Sequence, residues 1–326
     1  MKTLVERFSR QLKEANDIAD KAVLEKATNI QHIVVTGLGG SGIGGTVIAE
    51  LISDSCSVPV LVNKDYFLPA YVGKNSLVIV SSYSGNTEET LQATEAALQK
   101  GAQIVCITSG GKIREIARQH NLGCIEIPGG MPPRSCFGYS LVQLIKVLVV
   151  NGFAPATLFD DLKKAIALLD SQEQAIQAEA MSLAKKLHGK FAMLYSLGSC
   201  EGVVVRFRQQ INENGKMLCC HHTFPEMNHN ELVGWVEENK SLAVVTFRTS
   251  FDYARTVKRY EICKPLFEKL SASVTDVVAQ GSSKLEQFIY LVHLGDWASC
   301  YLADLKGIDA VEVKIIDHLK AELSKF

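Results

Sequence analysis

The sequence predicts an α/β protein made of two doubly wound units, each a mainly parallel sheet flanked by helices. Short apolar, β-rich runs alternate with amphipathic helical stretches, as parallel strands covered on both faces require. The alternation is repeated in outline: strand, Gly-Ser turn, helix, then strand, hydroxyl-bearing turn, helix. At 326 residues, 47% hydrophobic and 21% charged, the chain is long enough for two cores of about 150 residues each. The expected division is an N-terminal unit over 1–155 and a C-terminal unit over 156–326.

Leu4, Phe8, Leu12, Ala15 and Ile18 recur at spacings of three and four, predicting an amphipathic helix over 2–28. His32 to Thr36 reads as a strand that breaks into the glycine-rich run Gly37 to Gly45, and a helix follows from Thr46 to about Ser53. Val58 to Val62 and Ser76 to Val80 are the next strands, the latter ending in a serine-rich loop. Helix Glu88 to Lys100, strand Gln103 to Thr108, helix Ile113 to His120 and strand Cys124 to Ile127 complete the first series. Asn151-Gly152-Phe153-Ala154-Pro155 marks the boundary. Beyond it come a long helix from about Phe159 to His188, strand Phe191 to Leu197, and Gly198-Ser199. A helix then runs to Asn214-Gly215, followed by strand Leu242 to Phe247 and the turn Arg248-Thr249-Ser250. Strand Val274 to Val278 and helix Leu285 to Asp304 close the second series.

The 34 Lys and Arg nearly cancel the 35 Asp and Glu, which argues against a nucleic-acid or anionic-membrane partner. The first seventeen residues mix both charges and lack the apolar run of a signal peptide. Ser140 to Val150 is the most apolar later stretch, but Gln143 and Lys146 interrupt it and it is too short to span a bilayer. Nine cysteines without a C-x-x-C spacing fit free thiols in a reducing cytoplasm better than a disulfide scaffold.

Gly37-Leu38-Gly39-Gly40-Ser41-Gly42 satisfies a G-x-G-x-x-G spacing between a strand and a helix, so a dinucleotide site is one reading. That reading needs an acid at the end of the second strand, and the nearest, Asp65, lies beyond it. The loop Ser81 to Glu89 favours a different ligand. Hydroxyls of Ser82, Ser84 and Thr87, with the free amides of a helix start, form a nest for a phosphate dianion. Gly85 permits close approach of the backbone.

Both loops resemble those of the sugar isomerase, or SIS, domain, a phosphosugar-binding α/β fold. The resemblance continues in Pro132-Pro133-Arg134-Ser135, Asn212-Glu213-Asn214-Gly215-Lys216 and Pro225-Glu226-Met227-Asn228-His229-Asn230-Glu231. Taken together, these segments resemble the bifunctional phosphoglucose/phosphomannose isomerase family with tandem SIS domains. The resemblance implies hexose 6-phosphate substrates, binding through Gly39, Gly40, Ser41, Ser82, Ser84 and Thr87, and a homodimer. It also implies an aldose–ketose isomerisation through a cis-enediol, which requires no metal and no redox cofactor.

In such a reaction one base shuttles a proton between C1 and C2, and a positive group stabilises the enediolate. By resemblance Glu213 is that base; it falls at a helix end, where the negative dipole disfavours the charged carboxylate. His229 is expected to act in ring opening, from the neighbouring subunit. Arg134, stiffened by two prolines, supplies a permanent positive charge. Lys320 matches the family's carboxyl-terminal lysine segment, although Gly307 to Val313 lacks the prolines usual ahead of it. Cys219-Cys220-His221-His222 lacks zinc-finger spacing, and four consecutive residues do not readily converge on one ion. Two other classes stay open on sequence: a non-catalytic phosphosugar sensor, which needs no Glu213, and an NAD-dependent dehydrogenase using Gly37 to Gly42.

Overall fold

Side chains alternate between the two faces of a strand, so a strand buried throughout must be covered on both sides. The computed structural model describes residues 1–325, and its inner strands are buried along most of their length in two separate sheets, while the edge strands are partly exposed. The first contains β1 (His32–Thr36), β2 (Val60–Asn63), β3 (Ser76–Ser81), β4 (Gln103–Thr108) and β5 (Gly123–Glu126). Their order is β2-β1-β3-β4-β5, with every pair parallel. The second contains β6 (Phe191–Ser196), β7 (Cys219–Thr223), β8 (Leu242–Arg248) and β9 (Ser273–Val278), ordered β7-β6-β8-β9 and again parallel. Each order reverses direction once, between β1 and β3 and between β6 and β8. Such switch points open crevices at the carboxyl ends of the strands.

The intervening helices are α1 (Lys2–Glu6), α2 (Phe8–Lys21), α3 (Gly39–Leu51), α4 (Glu88–Gln99), α5 (Gly111–Gln119) and α6 (Phe137–Val150). They continue as α7 (Leu158–Leu187), α8 (Glu201–Glu213), α9 (Ala254–Leu270), α10 (Lys284–Lys306) and α11 (Lys314–Leu323). Alternation sorts the core. Ile33, Val35, Leu77 and Ile79 of the first sheet join Ala192, Leu194, Val245 and Phe247 of the second in one central cluster, with residues of α3, α6, α7, α8 and α10. On the outer faces, Val34, Val78 and Val80 pack beneath Ala97 and Ile113 of α4 and α5. Tyr195 and Val244 pack beneath Tyr260 and Phe267 of α9. Residues on both sides of Pro155 therefore share a single apolar layer between the sheets.

Several expected bounds shift. The amino-terminal helix stops at Lys21 instead of residue 28; beyond it the backbone bonds to side chains, Ala27 N–H to Asn151 Oδ1 at 2.7 Å and Thr28 N–H to Gln103 Oε1 at 2.8 Å. Helix α3 starts at Gly39, well before the expected Thr46. Low glycine propensity is overridden by packing, since Gly44 lies against Ser140 and Leu144, and Gly45 against Val35. The apolar run at Ser140 lies in α6, which is buried along most of its length and places Gln143 Nε2 2.8 Å from the Ala15 carbonyl. No helix among the described residues is long and apolar enough to cross a membrane. Cys219 to His222 form most of β7, so alternation sends Cys219 and His221 to one face and Cys220 and His222 to the other.

Candidate active site

Because β1 and β3 are neighbours, the loops that follow them meet above the first crevice. Ser41 links the two: its Oγ accepts from Tyr83 N–H at 3.0 Å, and its carbonyl accepts from Ser81 Oγ at 3.1 Å. In the second loop Ser82 Oγ donates to Thr87 Oγ1 at 3.3 Å, and Asn86 N–H donates to Ser84 Oγ at 3.2 Å. Gly85 has φ of +68°, and a Cβ there would lie 1.8 Å from the Gly110 carbonyl oxygen; glycine is the residue that fits. No side chain caps the start of α4, which leaves its first amides for an anion. Ser84 and Asn86 are exposed, whereas Ser82 is buried.

Arg134 occupies the 3-10 turn Pro133–Ser135 and is 5% exposed. It abuts the first loop so closely that a Cβ on Gly40 would stand 2.9 Å from its Cα and N. From there the guanidinium crosses to the second unit. Nε donates to Asn214 Oδ1 at 2.7 Å, and Nη2 donates to the carbonyls of Ala310 at 2.6 Å and Val311 at 3.1 Å. Nη1 faces Glu213 Oε2 at 3.3 Å. Burial pushes the Arg134 pKa down, and the Glu213 carboxylate pulls it the other way.

Glu213 is the last residue of α8, with its side chain 27% exposed. The negative helix end and the guanidinium act on this carboxylate with opposite sign. Lys216 Nζ donates to the Glu213 carbonyl and, at 2.6 Å, to that of Glu312. Desolvation lowers the Lys216 pKa, and Arg134 adds to the effect. A buried ion pair braces the cluster from behind. Arg206 Nη2 lies 2.5 Å from Asp296 Oδ2 and donates to the Arg134 carbonyl at 3.0 Å. Gln210 Nε2 donates to Asp296 Oδ1 at 2.8 Å, and Asn214 Nδ2 to Ser299 Oγ at 2.9 Å.

The fold thus brings together Gly39, Gly40, Ser41, Ser82, Ser84 and Thr87 at one crevice, with the Arg134 backbone against the first loop and Glu213 paired to the Arg134 guanidinium. It does not join His229 or Lys320 to them. His229 is exposed in the 3-10 turn Glu226–His229, and Lys320 is exposed on α11. Neither bonds to Arg134 or Glu213 among the described residues. Asp65, the acid a dinucleotide would need, accepts at Oδ1 from the adjacent Tyr66 N–H at 2.6 Å. Sequence reasoning gave no part to Arg206 and Asp296. The available signal was a charge inside the run Val203-Val204-Val205-Arg206-Phe207, since a buried arginine needs a specific partner. Among the described residues no group of three or more His, Cys, Asp or Glu is placed to hold a metal ion. An anion cradle, a fixed cation and a neighbouring carboxylate can bind a phosphorylated ligand and move one proton on it.

Comparison with known proteins matches the SIS domain over residues 26–141 and the "Bacterial phospho-glucose isomerase C-terminal SIS domain" over 176–323. The chain is 38% identical to a bifunctional phosphoglucose/phosphomannose isomerase of Caldicellulosiruptor bescii, with 98% of each chain covered. It is 35% identical to the one of Aquifex aeolicus, covering 99% of this chain and 98% of that one. In fold it is similar to the C-terminal domain of glucosamine-fructose-6-phosphate aminotransferase from Francisella tularensis, with a TM-score of 0.78 at 12% identity, over 95% and 97% of the two chains. Near full-length identity at this level, together with the matched domains, places the chain in the bifunctional phosphoglucose/phosphomannose isomerase family.

Proposed function

We propose that the protein interconverts glucose 6-phosphate and fructose 6-phosphate, takes mannose 6-phosphate as a second aldose, and works through a cis-enediol. The observation that carries this reading is the Arg134–Glu213 pair at 3.3 Å, with the Arg134 backbone set against Gly40. The phosphate enters the Ser82–Thr87 nest, which anchors the sugar by the group all three substrates share. Glu213 removes the proton from C2 of the aldose and returns it at C1, and Arg134 stabilises the negative charge that develops between. Holding Arg134 through Asn214 and two carbonyls leaves its guanidinium little freedom to move away, which is what preorganised stabilisation needs.

His229 opens the ring from the neighbouring subunit of a homodimer. Its exposure on its own chain supports this, as do the exposed Val233 and Val236 nearby and the stripe Ile315, Leu319 and Leu323 on α11. Solvent-facing apolar clusters of this kind are the usual mark of a protein contact. The site lies at the meeting of the units over 1–155 and 156–326, one supplying the phosphate nest and Arg134, the other Glu213. Free thiols at all nine cysteines support work in the cytoplasm. A coupled assay with each aldose phosphate, no added cofactor and excess chelator tests the activity. Binding of both sugars without turnover would instead identify a sensor.

A further inference from the structure

The second unit repeats the topology that builds the first crevice. Its sheet switches between β6 and β8 as the first does between β1 and β3, and the loops after those strands again carry Gly198-Ser199 and Thr249-Ser250. Ser199 bridges them as Ser41 does in the first unit, with its Oγ 2.8 Å from Thr249 Oγ1. The two crevices are also related through α3 and α8, which run antiparallel. Glu50 near the end of α3 accepts from Gly202 N–H at the start of α8, at 2.9 Å to each oxygen. At the other end, Arg134 beside Gly40 reaches Glu213.

What differs is occupancy. In the second crevice an anion already sits among the donors: the carboxylate of Asp252, with its side chain 2% exposed. Oδ1 accepts from Ser199 Oγ at 2.6 Å and Thr249 Oγ1 at 2.8 Å. Oδ2 accepts from Thr249 N–H at 3.0 Å and lies 3.4 Å from Arg248 Nε. The first unit's nest has no such partner, because among the described residues no carboxylate bonds to Ser41, Ser82, Ser84 or Thr87. A cavity of about 400 Å³, lined by Glu50, Ser199 and Lys284, borders the second crevice.

We infer that the C-terminal unit retains a second phosphate cradle and that the chain's own Asp252 carboxylate occupies it. Two hydroxyls, a backbone amide and a guanidinium are a donor set suited to phosphate, and the carboxylate uses all of them. Each chain then takes one phosphorylated ligand, at the first crevice alone. Taking the first crevice as the phosphate site rests on the function proposed above; the Asp252 contacts stand without it.

The test titrates inorganic phosphate into the full chain and counts sites by calorimetry. Wild type is expected to bind one phosphate per chain and Asp252→Ala two, the added site having a dissociation constant in the millimolar range. Ser199→Ala combined with Asp252→Ala should return the count to one. Ser84→Ala combined with Asp252→Ala should weaken the first site by tenfold or more and keep the second, about tenfold being one lost hydrogen bond of 1.4 kcal/mol. Two sites in wild type, or one site in a natively folded and active Asp252→Ala, would overturn the inference. If Asp252→Ala folds poorly, phosphate should restore it and raise its melting temperature more than that of wild type; a variant that phosphate does not rescue also overturns it. Unchanged phosphate affinity in Ser84→Ala alone would count against the first-unit reading and leave the Asp252 arms to be judged separately.

Discussion

Replacing Glu213 by glutamine removes a proton acceptor while keeping the volume and one acceptor oxygen for Arg134. The stability cost follows from the pair it breaks. Two charges about 4 Å apart at an effective dielectric of 20 attract by ~4 kcal/mol before desolvation, and removing one partner of a fully buried pair costs ~3–5 kcal/mol. Arg134 is 5% exposed but Glu213 27%, and Arg134 keeps Asn214 and the carbonyls of Ala310 and Val311. The expected loss is therefore smaller, on the order of 1–2 kcal/mol. The guanidinium stays in place, so the chemical defect is that of the missing base: roughly 10²–10⁴-fold in turnover. That corresponds to about 2.7–5.5 kcal/mol of barrier. Both aldose phosphates should lose activity in parallel, since one base serves one enediol, and affinity for a non-reacting sugar phosphate should hold. Exchange of the C2 hydrogen in deuterated water isolates this step from ring opening. Exchange at the wild-type rate in Glu213→Gln would refute the assignment, however overall flux behaved.

Ser84→Ala and Thr87→Ala should each weaken glucose, mannose and fructose phosphates alike, by ~1.5–3 kcal/mol; inhibition constants of a simple sugar phosphate measure this, and unchanged values move the phosphate elsewhere. Mixing His229→Ala with Glu213→Gln subunits should recover about a quarter of native activity, because half the statistical dimers then hold one intact site; no recovery after subunit exchange would place the histidine in its own chain's site. Asp296→Asn leaves Arg206 buried without its counterion and should cost ~3 kcal/mol or more in denaturant unfolding, with a loss below about 1 kcal/mol showing that the brace is dispensable. Glu50 is one pH-sensitive group: burial raises its pKa from 4.5 to about 7. The folded state then keeps a proton that the unfolded chain releases, so stability should fall as pH rises through this window, by roughly 3 kcal/mol at most. Glu50→Gln should flatten that slope between pH 4.5 and about 7, and an unaltered slope would assign it to another group.

Local rules were enough where neighbours in sequence are also neighbours in space. The bounds of β1 and β4 follow from β-branched runs stopped by turn residues, whereas β8 runs one residue past the expected Phe247, to Arg248. The hydroxyls of Ser82, Ser84 and Thr87 lie within one loop, so their grouping is visible without the fold. The end of α8 at Glu213 is likewise announced by Asn214-Gly215. Tertiary structure decided what depends on packing. It starts α3 inside a glycine run that propensity alone would leave as loop, because glycines let α6 and β1 approach. It turns the apolar stretch at Ser140 into an interior helix, and Cys219 to His222 into an edge strand. Above all it sets Arg134 against Glu213, 79 positions apart, and Asp252 into the nest formed with Ser199, 53 positions away. Sequence pattern records which groups are present and which face of an element they share. The distance between two such groups is fixed only when separate helices close over a common core, and the chemistry depends on that distance.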